Sequence, residues 1–415
     1  MKILLISKWV AGATRGDFFY PGAWRDTYEL ALALTNERLE VAILTSQVRP
    51  EHKSRFRLEF GLSLRKSNIK HYFAPTYSAF GAEWGLVRLK LFLAELRTLW
   101  AFHPDIVQYM QFGASLLYPW LKGIPLIFYS CYLFAPYANE KKDLAAKRLD
   151  WGIPDTVLNK FWLMGWNLLY LCLSYLFGAM TLPQMAKRGA LFALMHEKGF
   201  QKARRQFGRT TSVAYIQKGV DLPHAVLDPR NLKRPNDKIL FIGSILYGKG
   251  IFDLLEAMRL LQKKLPHVKL TIVGTGPESL VQQMLAFIKI HRLNVTYEGS
   301  KHYQYKWKLY DNHTIFCLPS YSDAYPSVIL EAMAVGLPVV TTDAVDSPVT
   351  HDRSGLVVPV GKTEALSNAM YQLLTETNKR QKMSQAETRE VIKYSWVQTA
   401  KQFSKFYREL LQSNT

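Results

Sequence analysis

The sequence predicts an α/β protein built from two Rossmann-like halves, and three observations carry that prediction. The chain has 415 residues, 48% of them apolar, enough for two cores of ordinary size and too apolar for global disorder. Its opening alternates strand, loop, helix and strand, as the start of a parallel sheet does. The same alternation returns in the C-terminal half, across residues 314–342.

Taken in order, Met1–Ser7 has one lysine and a brief apolar run, too short for a signal peptide, and reads as the first strand from Lys2. A loop carrying Gly12, Gly16 and Gly22 runs to Arg25, and a helix is expected from about Asp26 to Leu39. Leu30, Ala31 and Leu34 fall there at helical spacing, and Val41–Thr45 is the next strand. Leu86–Phe102 has an amphipathic helical pattern, His103-Pro104-Asp105 reads as a turn, and strands follow at Ile106–Tyr109 and Pro125–Cys131.

Phe161–Met180 is uncharged and rich in Leu, Phe, Trp and Tyr, and would be about 30 Å long as a helix, enough to span a bilayer. A single crossing would part the two halves, and basic residues flank the stretch on both sides, so no orientation is favoured. The better reading is a helix of about 157–180, partly buried and partly laid into the membrane surface; an ordinary core helix is the alternative. Thr211–Ile216 is the last strand of the first half.

Domain boundaries follow: 1–222 for the first half, a proline-bearing polar linker at 223–237, and 238–394 for the second. A final helix, 395–412, carries Trp396, Ala400, Phe403, Tyr407 and Leu410 on one face. The second half opens with strand Ile239–Gly243 and a helix Ile251–Lys264, then strands over 270–276 and Val295–Gly299. A strand at Thr314–Leu318 delivers a polar loop, Pro326 opens a helix that stops at Gly336, and Val339–Thr342 and 355–359 are strands.

The net charge of +20 calls for an acidic partner, and Lys plus Arg exceed Asp plus Glu by 13 in residues 1–223 and by 7 in the remainder. No nucleic-acid motif accompanies that charge, which leaves an anionic membrane surface or a phosphorylated substrate. Cys131, Cys172 and Cys317 show neither metal-ligand spacing nor a disulfide framework, so a cytoplasmic location is expected.

The chemistry concentrates in Pro319–Pro338. Asp323 lies in the loop and Glu331 eight residues on, within a helix whose N-terminus is suited to an anion. This stretch resembles the paired-acid signature of retaining glycosyltransferases with the GT-B fold, glycosyltransferase family 4. That signature has two acids separated by seven residues, then Ala-Met-Ala, Gly and Pro, with Asp323 standing for the usual first glutamate. Lys249-Gly250 matches the family's Lys-Gly pair ahead of a helix, whereas Ser244 stands where the family has arginine. In the first half Gly22 and Ala23 stand at the family's glycine-rich loop, with alanine for the second glycine. Cys131 stands near the family's histidine, and Lys218-Gly-Val-Asp221 resembles its hinge.

The resemblance implies a GT-B fold, two Rossmann-like domains facing an interdomain cleft, with the terminal helix returning to the first. It implies a metal-independent glycosyltransferase that moves a sugar, with retention, from a nucleotide-diphosphate sugar to a glycan or lipid-linked acceptor in cell-surface polysaccharide or glycolipid synthesis. No cofactor is expected beyond that co-substrate. Lys249, Asp323 and Glu331 would be catalytic: Lys249 on the diphosphate, Asp323 on the sugar hydroxyls and Glu331 on the ribose. Gly22, Ala23, Ser244, Gly274, Gly299 and the backbone N–H groups of Ser327, Val328 and Ile329 would complete the donor site. The protein would sit peripherally on the cytoplasmic face of the membrane. The departures at positions 23, 131 and 244 leave an alternative, a catalytically weak relative that binds a nucleotide or a partner.

Overall fold

The computed structural model describes residues 1–7, 22–46, 68–74, 84–110, 124–130, 191–195, 213–222, 237–301 and 305–413, with a few more between 197 and 205. They divide into two compact units. The first takes the chain up to Gly219 and again from Trp396, and the second takes the stretch Val220–Ser395.

The first unit holds a seven-stranded, all-parallel sheet. Its strands are β1 (Lys2–Ser7), β2 (Glu40–Ser46), β3 (Lys70–Ala74), β4 (Ile106–Tyr109), β5 (Leu126–Ser130), β6 (Leu191–Leu194) and β7 (Val213–Tyr215). Their spatial order is 3-2-1-4-5-6-7, so the direction of winding reverses between β1 and β4. Successive side chains on a strand point to opposite faces, and β1 shows the result. Ile3 and Leu5 pack into a core with Leu30 and Leu34 of α1 (Gly22–Asn36), whereas Leu4 and Ile6 join Ala94 and Phe102 of α2 (Trp84–Phe102). Both faces are therefore covered, as a parallel sheet requires.

Helix α1 differs from the expectation at both ends. It starts at Gly22 rather than near Asp26. It ends at Asn36, where Arg38 takes φ 61° and Leu39 N–H returns to Leu34 O at 3.3 Å. Gly22 and Ala23 thus belong to the first helical turn and not to a loop. The aromatic stretch 157–180, Cys131 and nearly all of the linker lie outside the described residues. Among the described residues no helix is long and apolar enough to cross a membrane.

The second unit holds a six-stranded parallel sheet of β8 (Lys238–Ile242), β9 (Lys269–Val273), β10 (Val295–Tyr297), β11 (Ile315–Leu318), β13 (Val339–Thr342) and β15 (Gly355–Val358), in the order 10-9-8-11-13-15. A separate two-stranded ribbon pairs β12 (Asp323–Ala324) with β14 (Val345–Asp346). The helices are α3 (Ile251–Lys264), α4 (Glu278–Ile290), α5 (Lys306–Asp311), α6 (Ser327–Ala334), α7 (Thr363–Thr375) and α8 (Thr377–Val391). Leu254, Met258 and Leu261 of α3 share one core with Phe241, Phe316 and Met370. The last helix, α9 (Trp396–Ser413), packs in the first unit: Phe403 meets Tyr129 edge-on at 4.8 Å, and Tyr407 Oη donates to Gln108 Oε1 at 2.5 Å.

Candidate functional site

In open parallel sheets ligands bind beyond the carboxyl ends of the strands, where the strand order reverses. In the second unit that point lies between β8 and β11, which are hydrogen-bonded neighbours. The chain leaving β8 closes a single 3₁₀ turn, Tyr247–Lys249, and enters α3 through Gly250. A Cβ on Gly250 would stand 2.1 Å from Pro319 O, so glycine lets the loop after β8 press against the loop after β11. Tyr321 N–H also donates to Gly248 O at 2.9 Å. These contacts bring Lys249 Nζ to 2.5 Å from Asp323 Oδ2, with the carboxylate 8% exposed and the lysine 27%. Ser320, whose carbonyl accepts from Thr342 Oγ1 at 2.6 Å, fixes the base of the same loop.

Asp323 does not sit in an irregular loop, as the sequence suggested. Its backbone is part of β12, paired in parallel with Val345, and Tyr325 N–H continues the ladder to Asp346 O at 2.8 Å. Tyr325 then takes φ 55°, an unfavourable state for a bulky residue that also precedes a proline. Pro326, with φ −65° and ψ 125°, is the N-cap and not the first helical residue, so α6 begins at Ser327. Ser327 and Val328 occupy positions whose N–H groups have no intrahelical acceptor. Ile329 N–H donates to Pro326 O at 3.1 Å, which reduces the expected group of three amides to two.

Glu331, a turn into α6, is buried. Tyr310 Oη donates to its Oε2 at 2.8 Å, and Lys306 Nζ lies 3.2 Å from its Oε1. The same ammonium is 3.3 Å from Asp221 Oδ2 and 4.2 Å from the centre of the Trp307 ring. Neither Lys306 nor Tyr310 was singled out in the sequence. Their only local signal was a spacing of four on a short helix, and the pairing with Glu331 spans more than twenty residues.

The remaining expected donor residues line the same edge of the sheet. Ser244 follows β8, Gly274 follows β9 and Gly299 lies two residues beyond β10. Gly274 has φ 143°, and a Cβ there would stand 1.8 Å from Gly243 O, so no side chain fits between these two loops. Gly274 N–H donates to Gly299 O at 2.9 Å, and Tyr297 Oη donates to Gly274 O at 3.0 Å. In the first unit, Lys218 is buried against Asp26 at 2.8 Å. Among the described residues no group of three His, Cys, Asp or Glu is placed to hold a metal ion.

Residues 227–390 match the family of glycosyl transferases group 1. The second unit is therefore a group 1 glycosyltransferase domain, and the two parallel-sheet units give the chain the GT-B fold. The chain is 28% identical over 180 residues to the D-inositol 3-phosphate glycosyltransferase of Corynebacterium urealyticum, covering 41% of this chain and 42% of that one. It is 25% identical over 174 residues to the capsular polysaccharide biosynthesis glycosyltransferase CapM of Staphylococcus aureus, covering 39% and 45%. The match thus spans less than half the length of these relatives. The crystal structure of Anabaena HepE in complex with UDP and glucose aligns over 99% of this chain and 100% of HepE, with a TM-score of 0.65 at 16% identity.

Proposed function

We propose that the chain is a glycosyltransferase that moves a sugar from a nucleotide-diphosphate sugar to a glycan or lipid-linked acceptor, with retention and without a metal. The observation that carries this reading is the Lys249–Asp323 pair at the point where the strand order reverses. A nucleotide sugar presents two chemically different groups one bond apart, an anionic diphosphate and a ring of hydroxyls. An ammonium and a carboxylate 2.5 Å apart match that sequence of groups, the lysine taking the phosphate and the aspartate accepting from the sugar. Without a donor the two charges compensate each other. In the reaction the bond from C1 to the diphosphate oxygen breaks and the acceptor oxygen bonds to C1 on the same face. The acceptor proton leaves to the departing phosphate, whose growing charge falls to Lys249 and the amides of Ser327 and Val328. These groups supply the positive charge that other enzymes of this chemistry draw from a cation.

The named relatives support cell-surface polysaccharide or glycolipid synthesis as the setting, and the UDP and glucose bound to HepE support a nucleotide-sugar donor. The +20 charge supports an acceptor presented at the cytoplasmic face of an anionic membrane, with the protein bound peripherally. On α2, Leu93 and Trp100 are exposed on the same stripe as Arg97, an amphipathic surface of the right kind. Thermal shift against nucleotides and nucleotide sugars tests the donor. A ligand at about a hundred times its Kd adds ~2.7 kcal/mol, and no shift with any of them would sink the proposal. Vesicle flotation with and without anionic lipid tests the membrane: failure to float with either leaves a soluble acceptor.

A further inference from the structure

Lys306 is a buried ammonium on a six-residue helix, outside the short motifs around Lys249 and Asp323. Desolvating such a group is costly unless carboxylates compensate, and an apolar side chain of similar length would fill the space without that cost. Packing alone therefore does not account for the charge. What the charge does is visible in its contacts. Lys306 Nζ meets Glu331 Oε1 at 3.2 Å while Tyr310 Oη, one turn along the same helix, donates to Oε2 at 2.8 Å. Each carboxylate oxygen thus has one donor from the protein, which fixes the plane of a group whose terminal torsion is otherwise broad. Each oxygen also keeps a second lone pair. Two parallel acceptor sites at fixed separation suit a vicinal diol.

Lys306 is itself held from its other side by Asp221 at 3.3 Å. Asp221 belongs to the first residues of the second unit, where Val220 N–H is bound to Tyr394 O at 2.6 Å. We infer that Lys306 is a positioning residue: anchored by Asp221, it fixes the Glu331 carboxylate in the plane that receives the two ribose hydroxyls of a nucleoside diphosphate. This rests on the donor reading above.

The test is calorimetry on the full chain with UDP, GDP, ADP and CDP, each beside its 2′,3′-dideoxy counterpart. The wild type should prefer one ribonucleotide over its dideoxy form by about 10-fold or more, the scale of hydrogen bonds to a charged group. Lys306→Met should bring that ratio close to one while leaving affinity for the dideoxy form within about two-fold, a selectivity change that mere loosening of the fold does not produce. Asp221→Asn and Lys306→Arg should lower the ratio part of the way. In a Glu331→Gln background, Lys306→Met should change the ratio no further. A Lys306→Met protein that keeps the wild-type ribose preference overturns the inference and leaves the donor reading standing. Binding of none of the nucleotides by the wild type overturns both. If Lys306→Met does not fold, an unchanged ratio in both Asp221→Asn and Lys306→Arg overturns it.

Discussion

In the first unit the buried polar side chains mostly close the fold on itself. Tyr407 on α9 donates to Gln108 on β4, and Tyr129 Oη and Thr399 Oγ1 both donate to Gln217 O at 3.1 Å. Lys218 is consumed by Asp26. In the second unit the same kind of parallel sheet gathers its charges beyond one strand edge, as Lys249 with Asp323, and beside it as Lys306 and Tyr310 around Glu331. It has structural polar contacts at the other end as well: Glu387 Oε1 accepts the N–H of Val339, at the opposite end of β13. Both units reverse their strand order next to their first strand, so topology by itself does not distinguish a site from a scaffold. In the second unit the paired charges stand beside the loops that leave the strands at that reversal, as Lys249 with Asp323.

That contrast can be broken most decisively at the charged edge. Lys249→Ala and Glu331→Ala should each lower turnover by about a hundred- to a thousand-fold, near 3 kcal/mol of transition-state stabilisation. Lys249→Ala should keep the fold but lower Tm, because it leaves the mostly buried Asp323 carboxylate without its ammonium. Glu331→Ala should also lower Tm, because it removes one of the two carboxylates beside the buried Lys306. Wild-type turnover in either variant, measured with a working donor, would remove the site from this edge. Next in size is Gly274→Ala, where the close approach to Gly243 O and the φ of 143° should cost about 1–3 kcal/mol in chemical denaturation. A Tm equal to wild type would mean the loops after β8 and β9 are not in contact.

Tyr407→Phe probes the other side of the contrast. It should cost about 1 kcal/mol by leaving Gln108 without its donor, and it should leave nucleotide affinity unchanged. A loss of nucleotide binding there would show that the packing of α9 is not a purely structural feature. The smallest effect is expected at Ser244, where the family has arginine. Ser244→Arg should tighten nucleoside-diphosphate binding by less than about 1 kcal/mol, with a gain that fades as salt is raised. Weaker binding would mean that another cation already occupies that space.

The sequence by itself determined the local pieces whose signals are local. Short apolar runs marked the strands at Lys2, Ile106, Ile239 and Thr314, and Pro326 and Gly336 bracketed α6 to within a residue or two. The spacing of Asp323, Glu331 and Lys249-Gly250 marked the candidate donor site, because a family signature is itself a local string. Only the tertiary structure decided what those groups touch. That Lys249 reaches Asp323, that Asp323 is pinned in a ribbon with β14, and that Glu331 is held by Lys306 and Tyr310 all depend on segments twenty to seventy-four residues apart. The start of α1 at Gly22 was likewise decided in the fold, since neither glycine nor alanine declares whether it ends a loop or begins a helix. The physical reason is common to all of these. A side chain's helical or extended preference is written within a few residues of it, whereas the partner that compensates a buried charge is chosen by which strands lie side by side.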